Sequence, residues 1–162
     1  MSDVVDTLHR PRLLPEDEHN RALLDNTHPE HWVNPKPHGR YNLVVIGSGT
    51  AGLTAAAGCA AAGGRVALIE RHLTGGDCLV SGCVPSKGII SAARSAAAVR
   101  EAARLGIRVP AGAAAAFPAV MERMRRLRAR ISPADSVQHL TAAGVHVFLG
   151  PGRFTAPDAV EV

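Results

Sequence analysis

Cys78 and Cys83 stand five residues apart in the stretch Gly75-Gly76-Asp77-Cys78-Leu79-Val80-Ser81-Gly82-Cys83-Val84-Pro85-Ser86-Lys87. Thiols this close can close a disulfide, exchange electrons with a bound redox group, or ligate a metal. Residues five apart in a regular α-helix have Cα atoms about 8.6 Å apart, beyond the roughly 7 Å that a disulfide tolerates. The pair can therefore bridge only across an irregular turn, and Gly82 with Pro85 supplies one. A metal would need further ligands. The third cysteine, Cys59, lies in the middle of an alanine-rich stretch and reads as a small core residue. His28, His31 and His38 fit no metal-site spacing and read as surface histidines. Lys87 and the start of the helix expected after the pair supply positive potential, which lowers a thiol pKa.

A second constellation lies upstream. Gly47-Ser48-Gly49-Thr50-Ala51-Gly52 is a G-x-G-x-x-G, weak on its own but here in the context that the motif requires. It directly follows the apolar run Leu43-Val44-Val45-Ile46 and opens a helix-forming run. Glu70 follows 23 residues after Gly47, at the end of a second apolar run. In such a loop Gly47 permits the tight turn, and Gly49 lets a pyrophosphate approach the backbone. Gly52 lets helix and strand pack closely. The helix N-terminus then offers free N–H groups to the phosphates, and Glu70 would accept hydrogen bonds from ribose hydroxyls. These residues read the half shared by FAD and NAD, so the loop does not separate the two.

The elements that must position these groups follow from the pattern. Residues 43–46 and 66–69 are continuous apolar runs, as buried parallel strands should be. The intervening helix over 51–62, ended by Gly63-Gly64, completes one right-handed βαβ unit. Helices are predicted from about Pro85 to Arg104, from Pro118 to between Leu127 and Ile131, and from Pro133 to Ala143. A third strand spans 145–149, and residues 159–162 begin another. Residues 1–40 are polar and proline-punctuated, an arm expected to pack on the body, with a short helix from Pro15 to about Leu24.

The chain has 162 residues, 46% hydrophobic and 20% charged, with aromatics at only 3%, enough for one domain with a sizeable core. Its net charge of +4 is concentrated in Arg123, Arg125, Arg126, Arg128 and Arg130. That run matches no nucleic-acid motif and reads as a solvated helix face. No apolar run reaches bilayer length, and the acidic N-terminus is not a secretory signal, so a cytoplasmic location is expected, with neither nucleic acid nor membrane as partner. In that compartment two nearby cysteines point to catalysis, redox sensing or metal binding rather than a structural staple.

The cysteine stretch resembles the active-site motif of the pyridine nucleotide-disulfide oxidoreductases, G-G-T-C-x-N-x-G-C-x-P-S-K, in a family that includes dihydrolipoamide dehydrogenase, glutathione reductase and mercuric reductase. The glycine loop and Glu70 are similar in the same order, and the resemblance covers residues 41–162. It implies a Rossmann-like, three-layer FAD/NAD(P)-binding α/β fold with a parallel sheet, here truncated. It also implies FAD contacts from Gly47, Gly49, Thr50, Ala51, Gly52, Glu70, Gly76, Asp77, Cys78, Lys87 and Gly152. By the same resemblance Cys78 is the charge-transfer thiolate facing the flavin and Cys83 the interchange thiol that meets substrate. Lys87 would lie beside the flavin ring and stabilise its reduced, anionic form. Asp77 stands where the family has threonine and Val80 where it has asparagine. The carboxylate of Asp77 would oppose thiolate formation at Cys78 unless it points away or is hydrogen-bonded. The G-G-D-C variant and the arm tilt the resemblance toward mercuric reductase-like members.

The resemblance implies a relay from NAD(P)H through FAD to the Cys78–Cys83 disulfide, and on to a small-molecule disulfide or Hg(II). It also implies a homodimer for the full-length enzyme. The second dinucleotide domain and the dimerisation domain with its His-Glu pair have no counterpart in residues 1–162, so the chain is expected to be a fragment without turnover of its own. The alternative is a stand-alone flavin-binding redox module.

Overall fold

The computed structural model describes residues 10–162, so the first nine residues of the arm, with the acidic N-terminus, lie outside the described part. The arm's helix, α1 (Glu18–Thr27), starts later than Pro15 because the Asp17 side chain caps it, accepting from Asn20 N at 2.8 Å. At the centre of the body lies a three-stranded parallel sheet of β1 (Leu43–Ile46), β2 (Val66–Glu70) and β3 (Val145–Leu149) in the order β1-β2-β3. All five residues of β2 are buried, as the continuous apolar run requires of a strand covered on both faces. Between β1 and β2 runs α2 (Thr50–Ala61), completing the predicted βαβ unit. It starts one residue before the predicted helix and stops at Ala61, because Ala62 caps it and Gly63 turns at φ +84.

After β2 come a short helix α3 (Gly76–Val80), the long helix α4 (Cys83–Glu101) and α5 (Phe117–Ile131). Gly88 on α4 lets α5 approach, since a Cβ there would meet Leu127 Cδ1 at 3.3 Å. The segment predicted from Pro133 to Ala143 is two pieces, a 3-10 turn over Ser132–Asp135 and the helix α6 (Val137–Ala142).

One face of the sheet packs on α2 and α6 through Ala56, Leu68, Val137, Leu140, Val145 and Val147. The other face, through Ala67, Ile69 and Phe148, meets Tyr41 and Val160. Val160 belongs to an antiparallel hairpin, β4 (Arg153–Ala156) with β5 (Ala159–Glu161). The strand expected to begin at Ala159 is thus half of a separate two-stranded ribbon, because Pro157-Asp158 turns the chain back. Helices, sheet and hairpin make a three-layer, Rossmann-like α/β fold.

Two expectations about the surface are corrected. His31 and His38 are exposed, but His28 is 3% exposed and its Nδ1–H donates to the His72 carbonyl. The arginine run is not a solvated face either. Arg126 and Arg130 are exposed, but Arg125 pairs with Asp17 and Arg128 is only 8% exposed. The helical period decides this: Met124 and Arg128 are one turn apart, and both face the inner side of α5. Among the described residues, no helix is long and apolar enough to cross a membrane.

Candidate active site: a dinucleotide groove beside a thiol pair

The three strands end level with one another, and their carboxyl ends are tied by backbone bonds from Gly47 N to Ile69 O and from Gly150 N to Glu70 O, each 2.8 Å. A groove of about 870 Å³ opens there. This is where open α/β sheets bind ligands. Of the residues singled out in the sequence, Gly47, Glu70, Gly76, Asp77 and Gly152 line it together.

The glycine loop behaves as its motif requires. Gly47 has φ +99, a conformation open to glycine. A Cβ on Gly52 would fall 1.9 Å from the Gly47 carbonyl oxygen and 3.1 Å from Val45 Cγ1, so helix and strand could not pack as they do. A Cβ on Gly49 would meet nothing within 4 Å. Space is open where a phosphate would approach. Gly49 caps α2 without a side-chain hydrogen bond, so the first-turn N–H groups at Thr50 and Ala51 have no capping oxygen from that residue. The donor set and the open cradle fit a dinucleotide pyrophosphate.

Glu70 has a structural task that its place in the motif does not show. Its Oε2 accepts from Ser48 N at 2.8 Å and from Ser48 Oγ at 2.6 Å, while Oε1 accepts from His72 N at 2.8 Å. The carboxylate therefore braces the glycine loop against the loop after β2, at 8% exposure, and still contributes to the groove wall. Pro11, Leu13, Arg71, His72 and Arg153 also line the groove and were not among the residues singled out. Arg71 and His72 could have been found from their place directly after Glu70. Pro11 and Leu13 carry no local signal, since an arm must fold back to bring them here.

The thiol pair is joined to this groove through glycine. Gly75 N donates to Ser48 O at 3.1 Å, and a Cβ on Gly76 would lie 2.6 Å from the Gly49 Cα. The two loops thus touch backbone to backbone. Asp77 lines the groove and its Oδ1 accepts from Ser81 Oγ, so the carboxylate beside Cys78 is hydrogen-bonded, one of the two ways it could be reconciled with a thiolate. Cys78 is half-buried on α3, and Cys83 is exposed as the first residue of α4. Ser81 and Gly82 separate the two helices, with Gly82 N donating to Asp77 O at 2.6 Å, which is the irregular turn that the spacing demanded.

Both cysteines are free, and the two thiols influence one another across that turn. A hydrogen bond with Cys78 and the negative charge on that sulfur push the Cys83 thiol above its ordinary value, while Lys87 opposes the shift. Lys87 is exposed one turn along α4 and lies outside the groove walls. Cys59 is half-buried and packs against the core. No cluster of three or more histidine, cysteine or carboxylate side chains suited to a metal occurs among the described residues.

Residues 41–161 match the family model described as pyridine nucleotide-disulphide oxidoreductase. The chain is similar to a dihydrolipoyl dehydrogenase of Bacillus subtilis, 35% identical over 119 residues, or 73% of this chain and 24% of that protein. It is also similar to a mercuric reductase of Shigella flexneri, 38% identical over 107 residues, covering 66% of this chain and 18% of the other. A glutathione reductase of Nostoc is 41% identical over 69 residues, 43% of this chain and 15% of its own length. The chain spans about a quarter or less of the curated relatives it matches. With residues 41 through 161 accounted for by one model, glycine loop and thiol pair included, the chain belongs to the pyridine nucleotide-disulphide oxidoreductase family.

Proposed function

We propose that this chain binds FAD through the Gly47–Gly52 loop and Glu70, and presents Cys78 and Cys83 to it as a redox-active disulfide. The observation that carries this reading is the contact between Gly76 and Gly49, which makes the phosphate cradle and the cysteine turn one unit. When bound, FAD supplies two-electron transfer between a nicotinamide donor and the sulfurs. The remaining work belongs to the chain. The first turn of α2 and Gly49 hold the pyrophosphate, and Glu70 and Arg71 face the adenosine end. Gly152 keeps the far wall bare of side chain.

In the reductive step one NAD(P)H gives up a hydride equivalent and the Cys78–Cys83 S–S bond breaks, which leaves one thiol and one thiolate with no proton drawn from solvent. Cys78, half-buried next to the groove-lining Asp77, is the thiolate of the pair by resemblance to the family. Cys83, at the exposed start of α4, keeps its proton and attacks the acceptor once a base removes it. The acceptor is a small disulfide, which leaves as two thiols, or Hg(II), which the dithiol ligates. Full-length enzymes of this kind would work as homodimers in the cytoplasm, where the thiols stay reduced between turnovers.

The test is reconstitution. Purified chain mixed with FAD should hold it in a yellow complex of about one per chain, and mild reduction should raise the free thiol count by two. A colourless preparation that refuses FAD, with an unchanged thiol count, would overturn the reading in favour of a non-redox nucleotide-binding protein. A flavin complex whose free thiol count stays unchanged when the bound flavin is photoreduced would keep the flavin site and remove the redox role of the two cysteines.

A further inference from the structure

Arg128 is a buried cation that pairs with no carboxylate among the described residues. Its Nη1–H donates to the Val80 carbonyl at 2.7 Å and its Nη2–H to Asn20 Oδ1 at 2.7 Å, while Nε finds no partner among the described residues. Asn20 is itself 1% exposed and donates to the Pro15 carbonyl at 2.8 Å, so its amide orientation is set from the arm side. Burial pushes the Arg128 guanidinium down from its ordinary value, and Arg125 adds to that effect while Asp17 opposes it. A buried cation facing only neutral oxygens is costly. Leucine or methionine would fill the space between α1 and α5 without that cost. What the guanidinium adds is a two-pronged hold on specific oxygens from two segments.

One of those oxygens belongs to the last residue of α3, two positions after Cys78 and three before Cys83. The chain leaves the helix there to make the Ser81-Gly82 turn that separates the two cysteines. The arm grips the other end of the same segment. Thr74 N donates to Thr27 O at 3.2 Å, and His28 at the end of α1 donates to His72 O. Residues 72–80, which carry Cys78, are thus held at both ends by groups on the arm or locked by it.

The geometry points to Arg128 as a positioning residue for the Cys78–Cys83 pair, locked in place by Asn20 of the arm, so that arm docking sets the redox equilibrium of the cysteines. This rests on the reading of the cysteines as a redox pair. With the Val80 carbonyl fixed, the two thiols have a high effective concentration for one another. Released, the turn samples more conformers and the disulfide loses favour relative to the dithiol.

The experiment equilibrates the full chain with glutathione buffers, in which one oxidised glutathione plus the protein dithiol gives the protein disulfide plus two glutathione thiols. Free thiols are then counted after acid quench. We expect Arg128→Met and Asn20→Ala to lower the equilibrium constant for disulfide formation at least fivefold. Arg128→Lys, which keeps the charge but not the fork, should lower it similarly, and Asn20→Asp, which keeps the acceptor, should restore it to within twofold of the parent. Parent-like constants in Arg128→Met and Asn20→Ala chains that unfold cooperatively would overturn the inference while leaving the redox pair intact. Should Arg128→Met fail to fold, Asn20→Ala decides, since it removes only the lock that holds the guanidinium on Val80. A parent chain that never forms the disulfide would instead sink the functional reading and this inference with it.

Discussion

Gly49 and Gly52 are three residues apart in one motif, yet they fail for different reasons when given a methyl group. At Gly52 the Cβ would collide with a backbone oxygen at 1.9 Å, so helix and strand must separate. We expect Gly52→Ala to cost about 3 kcal/mol or more in urea unfolding, the scale of severe overpacking. At Gly49, φ is −68 and the space is empty, so Gly49→Ala should leave stability within about 1 kcal/mol. FAD affinity should nevertheless fall at least tenfold in that variant, because the methyl occupies the phosphate approach. An unchanged FAD affinity in a stably folded Gly49→Ala chain would remove the phosphate role from Gly49. The thiols give a second pair of outcomes. Cys83 is raised by its bond to Cys78 and by that sulfur's charge, so in the reduced chain its alkylation by iodoacetamide should rise only at a pH above that of an ordinary thiol. Cys78→Ala removes both causes, so the Cys83 pKa falls toward that of an ordinary thiol and its alkylation at neutral pH speeds up. Lys87→Met should move the profile the other way, and mass spectrometry of the labelled peptide reads each case. The glycine loop, Glu70 and the cysteine turn were legible because their chemistry is local: each needs a residue type at a fixed offset. The bracing of Ser48 and His72 by Glu70 was not, since it depends on where two loops arrive in space.

Helices and strands show the same division. The three parallel strands were legible to within a residue, because a strand buried on both faces must be an uninterrupted apolar run. The arginine run in α5 misled for an equally physical reason. A helix with this many cations reads as solvent-facing, and nothing local says that the arm will bring Asp17 and Asn20 against Arg125 and Arg128. Asp17 is the hinge of that contact, capping α1 and pairing with Arg125 at once. We expect Asp17→Ala to cost about 1 kcal/mol from the cap, with a further loss from the ion pair. Burial alone would raise the Asp17 carboxyl, but the Asn20 N–H and Arg125 outweigh it and hold it below the usual range. A depressed folded-state value means that its contribution is present above the unfolded value near 4 and is lost as pH falls through the folded one. Parent and Asp17→Asn stabilities should therefore differ at about pH 6 and converge below about pH 3, as followed by chemical unfolding. A constant difference across that range would show that the carboxylate charge has no part in docking the arm.

At the scale of the whole molecule, the two faces of the sheet are not equally finished. The face toward α2 and α6 is closed by a core in which Val66, Leu68, Val137 and Val145 are fully buried. Beyond β1, among the described residues, no strand pairs, and Val44 and Ile46 remain 40% and 46% exposed. Phe154 on the hairpin is 73% exposed, and Ile89, Ile90, Leu105, Ile107 and Phe117 carry the apolar surface across the helical side. An open strand edge flanked by apolar side chains is a template for pairing with another chain, and exposed apolar area of this extent favours association. The net charge of +4 provides modest repulsion against it. We therefore expect the purified chain to self-associate in the micromolar range, seen as a weight-average mass by light scattering that rises with concentration, and to bind a hydrophobic dye without unfolding. The substitution Val44→Lys places a charge on the edge strand at an exposed position, and should lower the associated fraction while leaving the unfolding midpoint within a few degrees of the parent. If the Val44→Lys chain associates as strongly as the parent, the edge is not the contact and the apolar surface of α4 and α5 takes its place. A companion Phe117→Lys variant separates the two surfaces, because Phe117 is 65% exposed at the start of α5 and takes no part in the sheet.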